Sequence, residues 1–302
     1  MYGNGKFLSS FSYYDSGNYK DGIAYSEDGI NWNQIEAPRN ITFIAYGNGK
    51  FVALCGYDIA HSEDGINWNQ VDISFTEYGK SLSSIVYGNG MFVGLQGTDT
   101  LAAYSRDGIT WQESTKPYNR CDQIAYGNGK FVAIGSAGDR DNKKYNEAMY
   151  STDGIAWTEV TTPVSANWSA IAYGNGRFVA ISGNYSTYND KAMYSDDGIT
   201  WTQTTLPVLG NWTSVAYGDG KFVAVSGYSY DSSNKKIYVS NNVAYSKDGI
   251  TWSLTHTPVA DNWSDVTYGD GKFVAIGSNA QISSSYHNTN RVAYSITKRT
   301  NG

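Results

Sequence analysis

The strongest constraint on this chain is a six-residue phrase that returns seven times. Tyr2–Phe7, Tyr46–Phe51, Tyr87–Phe92, Tyr126–Phe131, Tyr173–Phe178, Tyr217–Phe222 and Tyr268–Phe273 each read Tyr-Gly-(Asn or Asp)-Gly-(Lys, Arg or Met)-Phe. Asn-Gly or Asp-Gly between two apolar runs supplies the two positive φ angles of a two-residue type I′ turn, so every copy predicts a tight antiparallel hairpin. A basic residue behind a Gly-Asn-Gly run also invites a phosphate-cradle reading. That reading fails, because a phosphate loop needs Ser or Thr after its lysine and a helix behind it. Here Phe always follows, and the lysine itself becomes Met91 and Arg177. The phrase is a bend.

Successive copies begin 44, 41, 39, 47, 44 and 51 residues apart, the span of one blade of four strands. In the copy that shows it best, the predicted strands are 168–174 (WSAIAYG), 177–183 (RFVAISG), 191–198 (KAMYSDDG) and 201–207 (WTQTTLP). The second strand, as in "KFVAIG", is apolar on both faces and fits a sheet packed between two neighbouring sheets. A repeat running from end to end predicts one all-β domain over residues 1–302, a single β-propeller of four-stranded antiparallel blades. Seven blades are favoured. A six-bladed ring is the alternative, with "DVTYGDGK" closing onto the N-terminal strands, but it leaves "KFVAIG" and "RVAYS" without a place. The chain opens at the end of a first strand and stops after a third, so the terminal blades are incomplete. Met1 reads as a cut end or as the start of a fragment whose neighbour supplied the missing pair.

Composition narrows the function classes. The 302 residues include 33 Gly, 26 Tyr and 9 Trp but only 5 Pro, and there is no helix-period stretch of useful length. No apolar run reaches the roughly 18 residues that a membrane helix needs, and "MYGNGKFLSS" lacks the basic start and apolar core of a signal peptide. Neither membrane insertion nor a signal peptide is expected. With a net charge of −6, a pI near 5.1 and scattered lysines, the electrostatic footprint of a nucleic-acid binder is missing too. Cys55 and Cys121 fall at non-equivalent points of different repeats and are expected as free thiols. Cys121 shares its column with Ile41, Leu82, Trp168, Trp212 and Trp263, which makes it a small buried hydrophobe. His61, His256 and His287 have neither metal spacing nor a nucleophile partner. No cofactor or metal is expected.

A second motif lies between the predicted third and fourth strands: "SEDGINW" twice, then "SRDGITW", "STDGIAW", "SDDGITW" and "SKDGITW". Its residues are Asp28 and Trp32, Asp64 and Trp68, Asp107 and Trp111, Asp153 and Trp157, Asp197 and Trp201, and Asp248 and Trp252. The aspartate is expected to turn back onto local N–H groups, the glycine to take a positive φ, and the tryptophan to fold into the gap between sheets. Six copies of one carboxylate read as scaffold, since repeated scaffold positions seldom carry a unique active site.

This motif resembles the Asp-box, or BNR, repeat of sialidase-like propellers, although here one residue fewer separates Asp from Gly. The resemblance covers almost the whole chain and concerns the repeat type. It implies a sialidase only if an arginine triad, a Tyr–Glu pair and an acidic Asp are present. The arginines are few, and Arg106 and Arg177 sit in the scaffold turns. Arg39 in "APRN" lacks the aromatic-Arg-Ile-Pro order of the family, so an enzyme is not expected. Repeats of the "AYGNGKF…YSxDGITW" kind look like those of bacterial surface proteins and phage tail or fibre proteins, which implies an extracellular, cell-surface or virion-associated setting.

Function is expected on the face that carries the second-to-third-strand loops and the links between blades, because variation concentrates there. "SFSYYDSGNYKDG", "GSAGDRDNKKYNEA", "SGNYSTYNDK" and "SGYSYDSSNKKIYVSNN" are rich in Tyr, Asn, Ser and Asp, the chemistry of adaptable binding loops. The candidate ligand-binding residues are Tyr13, Tyr14, Tyr19, Tyr145, Tyr185, Tyr188, Tyr228 and Tyr230. Trp168, Trp212 and Trp263 join them from the repeated Asn-Trp-(Ser/Thr) links, where packing in the first strand is the competing reading. The expectation is a non-catalytic, lectin-like module that recognises a surface glycan or a protein receptor, as part of a larger chain or a multivalent assembly. The alternative is a structural or assembly-type protein-interaction propeller, like the photosystem-associated members of the Asp-box family. A sialidase-like glycoside hydrolase comes third.

Overall fold

The computed structural model describes residues 1–15, 18–38, 40–71, 73, 81–97, 100–116, 121–135, 139–140, 143–144, 148–183, 188–231, 236–277 and 292–294. Every regular element among them is a β-strand. The main strands form seven successive antiparallel meanders in chain order, six of four strands and a last one of three among the described residues. This is the seven-bladed β-propeller fold.

The backbone falls into two compact units, Met1–Val160 and Thr161–Gly302. The first holds blades one to four, of which blade two is typical: Ile41–Gly47, Lys50–Cys55, Asp58–Ser62 and Asn69–Val71. The second holds blades five to seven. Blade five comprises Trp168–Gly174, Arg177–Ser182, Asn189–Ser195 and Thr202–Gly210. Blade six comprises Trp212–Gly218, Lys221–Ser226, Ser240–Ser246 and Ser253–Asp261.

The repeated phrase does what its residues demand. In blade two Gly47 pairs with Lys50 across Asn48-Gly49, whose φ angles are 48° and 75°. All seven copies share this left-handed pair. The preceding glycine has a different job. A Cβ on Gly47 would lie 1.9 Å from Cγ of Tyr87 in the next blade, and one on Gly218 would lie 2.0 Å from Cγ of Tyr268. Each tyrosine packs in turn on the phenylalanine of its own hairpin, as Tyr87 does on Phe92 with centroids 4.8 Å apart. Such tilted pairs add about 0.5–1.5 kcal/mol beyond the area they bury.

The second strands are the core. Val52 and Leu54 pack with Leu82, Ile85 and Phe92 of blade three, while Phe51, Ala53 and Cys55 pack with Leu8 and Ile23 of blade one. Burial on both faces is why these strands read as unbroken apolar runs. First strands carry a bulge one residue in, at Thr42, Asp122, Ser169, Thr213 and Ser264. In blade five the bulge hydroxyl, Ser169 Oγ, lies 3.2 Å from the Ile181 carbonyl of its own blade and 2.6 Å from the Trp212 carbonyl of the next. Thr213 repeats this with Val225 and Trp263 at 3.2 and 2.7 Å. Asp122 puts a carboxyl where its counterparts have a hydroxyl, and burial pushes it up to about 6 against the pull of its own N–H and of Lys116.

Two expectations about local structure are corrected. "SFSYYDSGNYKDG" is mostly not loop: Lys6–Asp15 and Asn18–Ser26 run on as one hairpin as far as Asp15 opposite Asn18. The polar residues there alternate with Phe and Tyr, which is strand period. The fourth strands of blades five and six continue past Pro207 and Pro258 to Gly210 and Asp261. Proline is tolerated because these are edge strands, with one side free of ladder bonds.

Candidate binding site

The two kinds of short turn meet on one side of each unit. Lys50 Nζ lies 3.4 Å from Glu63 Oε1, and Asn4 Nδ2 donates to the Glu63 carbonyl at 3.2 Å. Arg177 bonds Asp196 at 2.6 Å and the Asp248 carbonyl at 2.5 Å. The basic residue behind the Gly-Asn-Gly bend therefore tethers neighbouring turns, and exposed pairs of this kind contribute only about 0–1 kcal/mol each.

Within the S-x-D-G turn, Asp28 Oδ1 accepts the N–H groups of Ile30 and Asn31, both at 2.8 Å, and Ser26 Oγ accepts from Gly29 N at 2.8 Å. The same bonds recur at Asp64, Asp107, Asp153, Asp197 and Asp248. N–H groups of Asn31 and then Ile30 hold Asp28 well below the usual carboxylate range. Those of Ile250 and Thr251 bring Asp248 down to about 2. At Asp107 and Asp197 partial burial acts upward, but the turn N–H groups outweigh it and the result is again about 2. A carboxylate saturated by local donors is a poor proton carrier. The turn glycine is tight as well as left-handed: a Cβ on Gly249 would lie 2.6 Å from Cγ2 of Val179 in the preceding blade. Trp68 and Trp111 donate their indole N–H groups to the Gly65 and Gly108 carbonyls at 3.1 and 3.3 Å. These twelve Asp and Trp positions build scaffold.

The second-to-third-strand loops and the links meet elsewhere. In the second unit they enclose a cleft of about 310 Å³ between blades five and six, near the low end of the roughly 300–1,000 Å³ of small-molecule sites. Tyr188 enters from blade five, Leu209 from the end of that blade's fourth strand, Asn211 from the link, and Tyr238, Asn241 and Asn242 from blade six. Tyr188, Leu209 and Tyr238 are 51%, 63% and 48% exposed, so the rim presents large apolar surfaces to solvent.

A break in register shapes the inner wall. Ser240 pairs with Asp261 and Asn242 with His256, so the single residue Asn241 faces residues 257–260 of the fourth strand, where the surplus length lies. Consecutive strand side chains normally face opposite ways, yet beside this break in register Ser240, Asn241 and Asn242 all line the cleft. The side-chain amides of Asn241 and Asn242, both half-buried, hydrogen-bond to none of the described residues. Around them the wall is pinned. Ser226 Oγ meets Ser240 Oγ at 2.6 Å, and Asn211 Nδ2 donates to the Tyr228 carbonyl at 2.6 Å. From the next link, Asn262 Oδ1 accepts the Tyr228 N–H at 2.9 Å. Gly227 is required there, since its Cβ would lie 2.6 Å from Asn262 Oδ1.

Among the described residues, the lining contains no carboxylate, amine, guanidinium, imidazole or thiol. No group of three His, Cys, Asp or Glu among the described residues could hold a metal.

Of the sequence-predicted ligand residues, Tyr188 lines the cleft and Tyr228 is half-buried beside it. Trp168, Trp212 and Trp263 are corrected: at 1%, 0% and 0% exposure they are core, with no ring face left for a sugar. The column they share with Ile41 and Cys121 demands an apolar residue under the bulge. Tyr13, Tyr14 and Tyr19 lie on the blade-one hairpin and Tyr230 on a short ribbon, Ser229–Asp231 with Lys236–Tyr238, but their side chains fall outside the described set. Tyr145 and Tyr185 lie outside the described residues. Sequence reasoning missed Leu209, and it named the segment 226–242 without singling out Tyr238, Asn241 and Asn242 within it. The one available signal was the Asn-Asn pair of blade six where blade five has Asp190-Lys191.

No family model matches the chain, and no curated protein matches it. Among solved structures it is similar to virginiamycin B lyase from Staphylococcus aureus, with a TM-score of 0.63 and 11% identity over 97% of this chain and 89% of that one. It is also similar to YCF48 bound to D1 peptide (0.60, 14% identity, 89% and 93% covered) and to the Neurospora crassa Pan2 WD40 domain (0.56, 9%, 79% and 73%). At such identities the likeness is one of fold, and the fold is the β-propeller.

Proposed function

We propose that this chain is a non-catalytic binding propeller that recognises a surface glycan through the cleft between blades five and six. The observation that supports this most is the pairing of exposed tyrosines with two carboxamides that have no described protein partner, in a concave site whose described lining carries no charged group. A tyrosine ring matches the apolar face of a pyranose, and carboxamides match its hydroxyls in both donor and acceptor sense. A described lining without a general acid or base favours binding over hydrolysis at this site. In this reading the S-x-D-G turns are repeats of the Asp-box type, residues 1–302 form one domain, and the protein acts extracellularly, at a cell surface or on a virion. Weak sites of this kind gain strength by linkage in a multivalent assembly.

A protein receptor is the second reading, favoured by one observation: Leu209, 63% exposed on the rim, is an anchor of the kind protein interfaces use. An array of host and bacterial surface glycans, probed with the labelled protein and with Tyr188→Ala and Tyr238→Ala, separates the two. A specific signal that both substitutions abolish is expected. A blank array together with capture of a protein partner that is lost in the same variants would overturn the glycan reading.

A further inference from the structure

The cleft of blade six differs from its own repeat next door in a way that points to the ligand's chemistry. Blade five has the same break in register: Asn189 pairs with Gly210 and Lys191 with Thr205, so Asp190 faces residues 206–209 of the fourth strand. There Lys191 is used internally, its Nζ donating to the Ser165 carbonyl at 2.8 Å. Blade six replaces Asp-Lys by Asn241-Asn242, which removes both charges and leaves two half-buried carboxamides unused by the described protein. Neither amide is sealed from solvent, so a ligand can take the place of water on both at a modest net gain per bond.

A carboxamide offers one acceptor oxygen and a two-hydrogen donor, in plane and at fixed spacing. Its best complement is another amide, which presents one C=O and one N–H in the same plane. The surfaces around the pair are apolar: Leu209 and Tyr238 on the rim, with Val239 at 37% exposure beside them. They match a methyl group and a ring face rather than another hydroxyl. The volume of about 310 Å³ suits one or two sugar rings better than an extended chain. A carboxylate-bearing sugar would find no cation among the described lining residues, and the net charge of −6 disfavours it.

Resting on the glycan reading above, we infer that the cleft binds an uncharged acetamido sugar, with Asn241 and Asn242 engaging the acetamido N–H and C=O and with Leu209, Tyr238 and Val239 taking its methyl group and ring face.

The test is calorimetric titration with matched ligands: N-acetylglucosamine, N-acetylgalactosamine and di-N-acetylchitobiose against glucose, galactose and cellobiose, with sialyllactose as the acidic probe. The acetamido ligands should bind at least ~10-fold more tightly than their hydroxyl counterparts, the effect of one or two amide hydrogen bonds. In Asn241→Ala/Asn242→Ala that ratio should fall to near one with the melting temperature retained, because both side chains lie at the surface of the strand. Equal binding of the matched pairs, or preference for sialyllactose, would overturn the acetamido assignment and leave the glycan reading standing. No binding of any sugar, with capture of a peptide by the cleft, would overturn both.

Discussion

Gly218 and Gly220 stand two residues apart in one hairpin, and alanine at each should fail for a different reason. At Gly218 the added methyl would lie 2.0, 2.3 and 2.4 Å from Cγ, Cδ1 and Cδ2 of Tyr268. To reach ordinary contact the ring must retreat by about 1.4 Å, yet it rests on Phe273 with centroids 4.9 Å apart. Overpacking usually costs about 1–3 kcal/mol, and three ring atoms this close place Gly218→Ala at about 3 kcal/mol or above. At Gly220 nothing lies within 4 Å, but φ is +70°, so Gly220→Ala should cost only the left-handed strain of about 1–2 kcal/mol. With melting shifts of ~2–4 °C per kcal/mol for chains of somewhat smaller size, Gly218→Ala should melt about 6–12 °C below the parent. The decisive assay is a double-mutant cycle with Tyr268→Ala. Removing the ring should return about 2 kcal/mol or more to Gly218→Ala, whereas Gly220→Ala and Tyr268→Ala should add within about 0.5 kcal/mol. If Gly218→Ala melts with the parent, or shows no coupling to Tyr268, then the Tyr-Gly step is not what packs one blade on the next.

The pH dependence of stability should have two limbs of opposite sign. Asp248, held at about 2 by its turn against ~3.9 when unfolded, stabilises fully above pH ~4 and loses its contribution as pH falls towards 2. Asp122, raised to about 6, binds its proton more tightly in the folded state, so its contribution worsens as pH rises from ~4 to ~6 and is constant above. Asp122→Thr, the residue that Thr42 and Thr213 supply at equivalent bulges, should therefore stabilise by about 1–2 kcal/mol at pH 7 and by nothing at pH 4 in urea titrations. At the cleft, Asn262→Ala removes the acceptor for the Tyr228 N–H without touching the lining. It should weaken ligand several-fold and speed hydrogen exchange at Tyr228, and unchanged exchange would show that this asparagine does not hold the wall.

The scaffold was legible because it is repeated. Seven copies of one hairpin turn fix strand pairs, and the doubly apolar second strand identifies packed blades, so fold class follows from spacing and period, while the choice of seven blades over six is settled only by the seven meanders of the structure. Less legible was the reason for the first glycine of the phrase. Gly47 and Gly218 have ordinary backbone angles, and only contact with a tyrosine about 40–50 residues further on explains them. The candidate site was the least legible part. Trp168, Trp212 and Trp263 stand out in the sequence, but packing under a bulge claims them. Asn241 and Asn242 do not stand out, because whether a polar residue is spent within the protein or offered to a ligand depends on a break in register between third and fourth strands that sequence period does not reveal.

Repetition nevertheless provides an internal comparison once the strands are in register. Positions that every blade fills alike, such as the S-x-D-G aspartates, are satisfied by their own turns and have little left to give a ligand. Where a blade departs from the others, the departure has to be stabilised by something outside the repeat. Asp122 departs and is answered only in part from within, since burial raises it to about 6 against its own N–H and Lys116. Asn241 and Asn242 depart and are answered by none of the described residues. In the proposed reading, a departure of the second kind leaves polar groups open to a ligand, and among the described residues the third strand of blade six is where such groups gather.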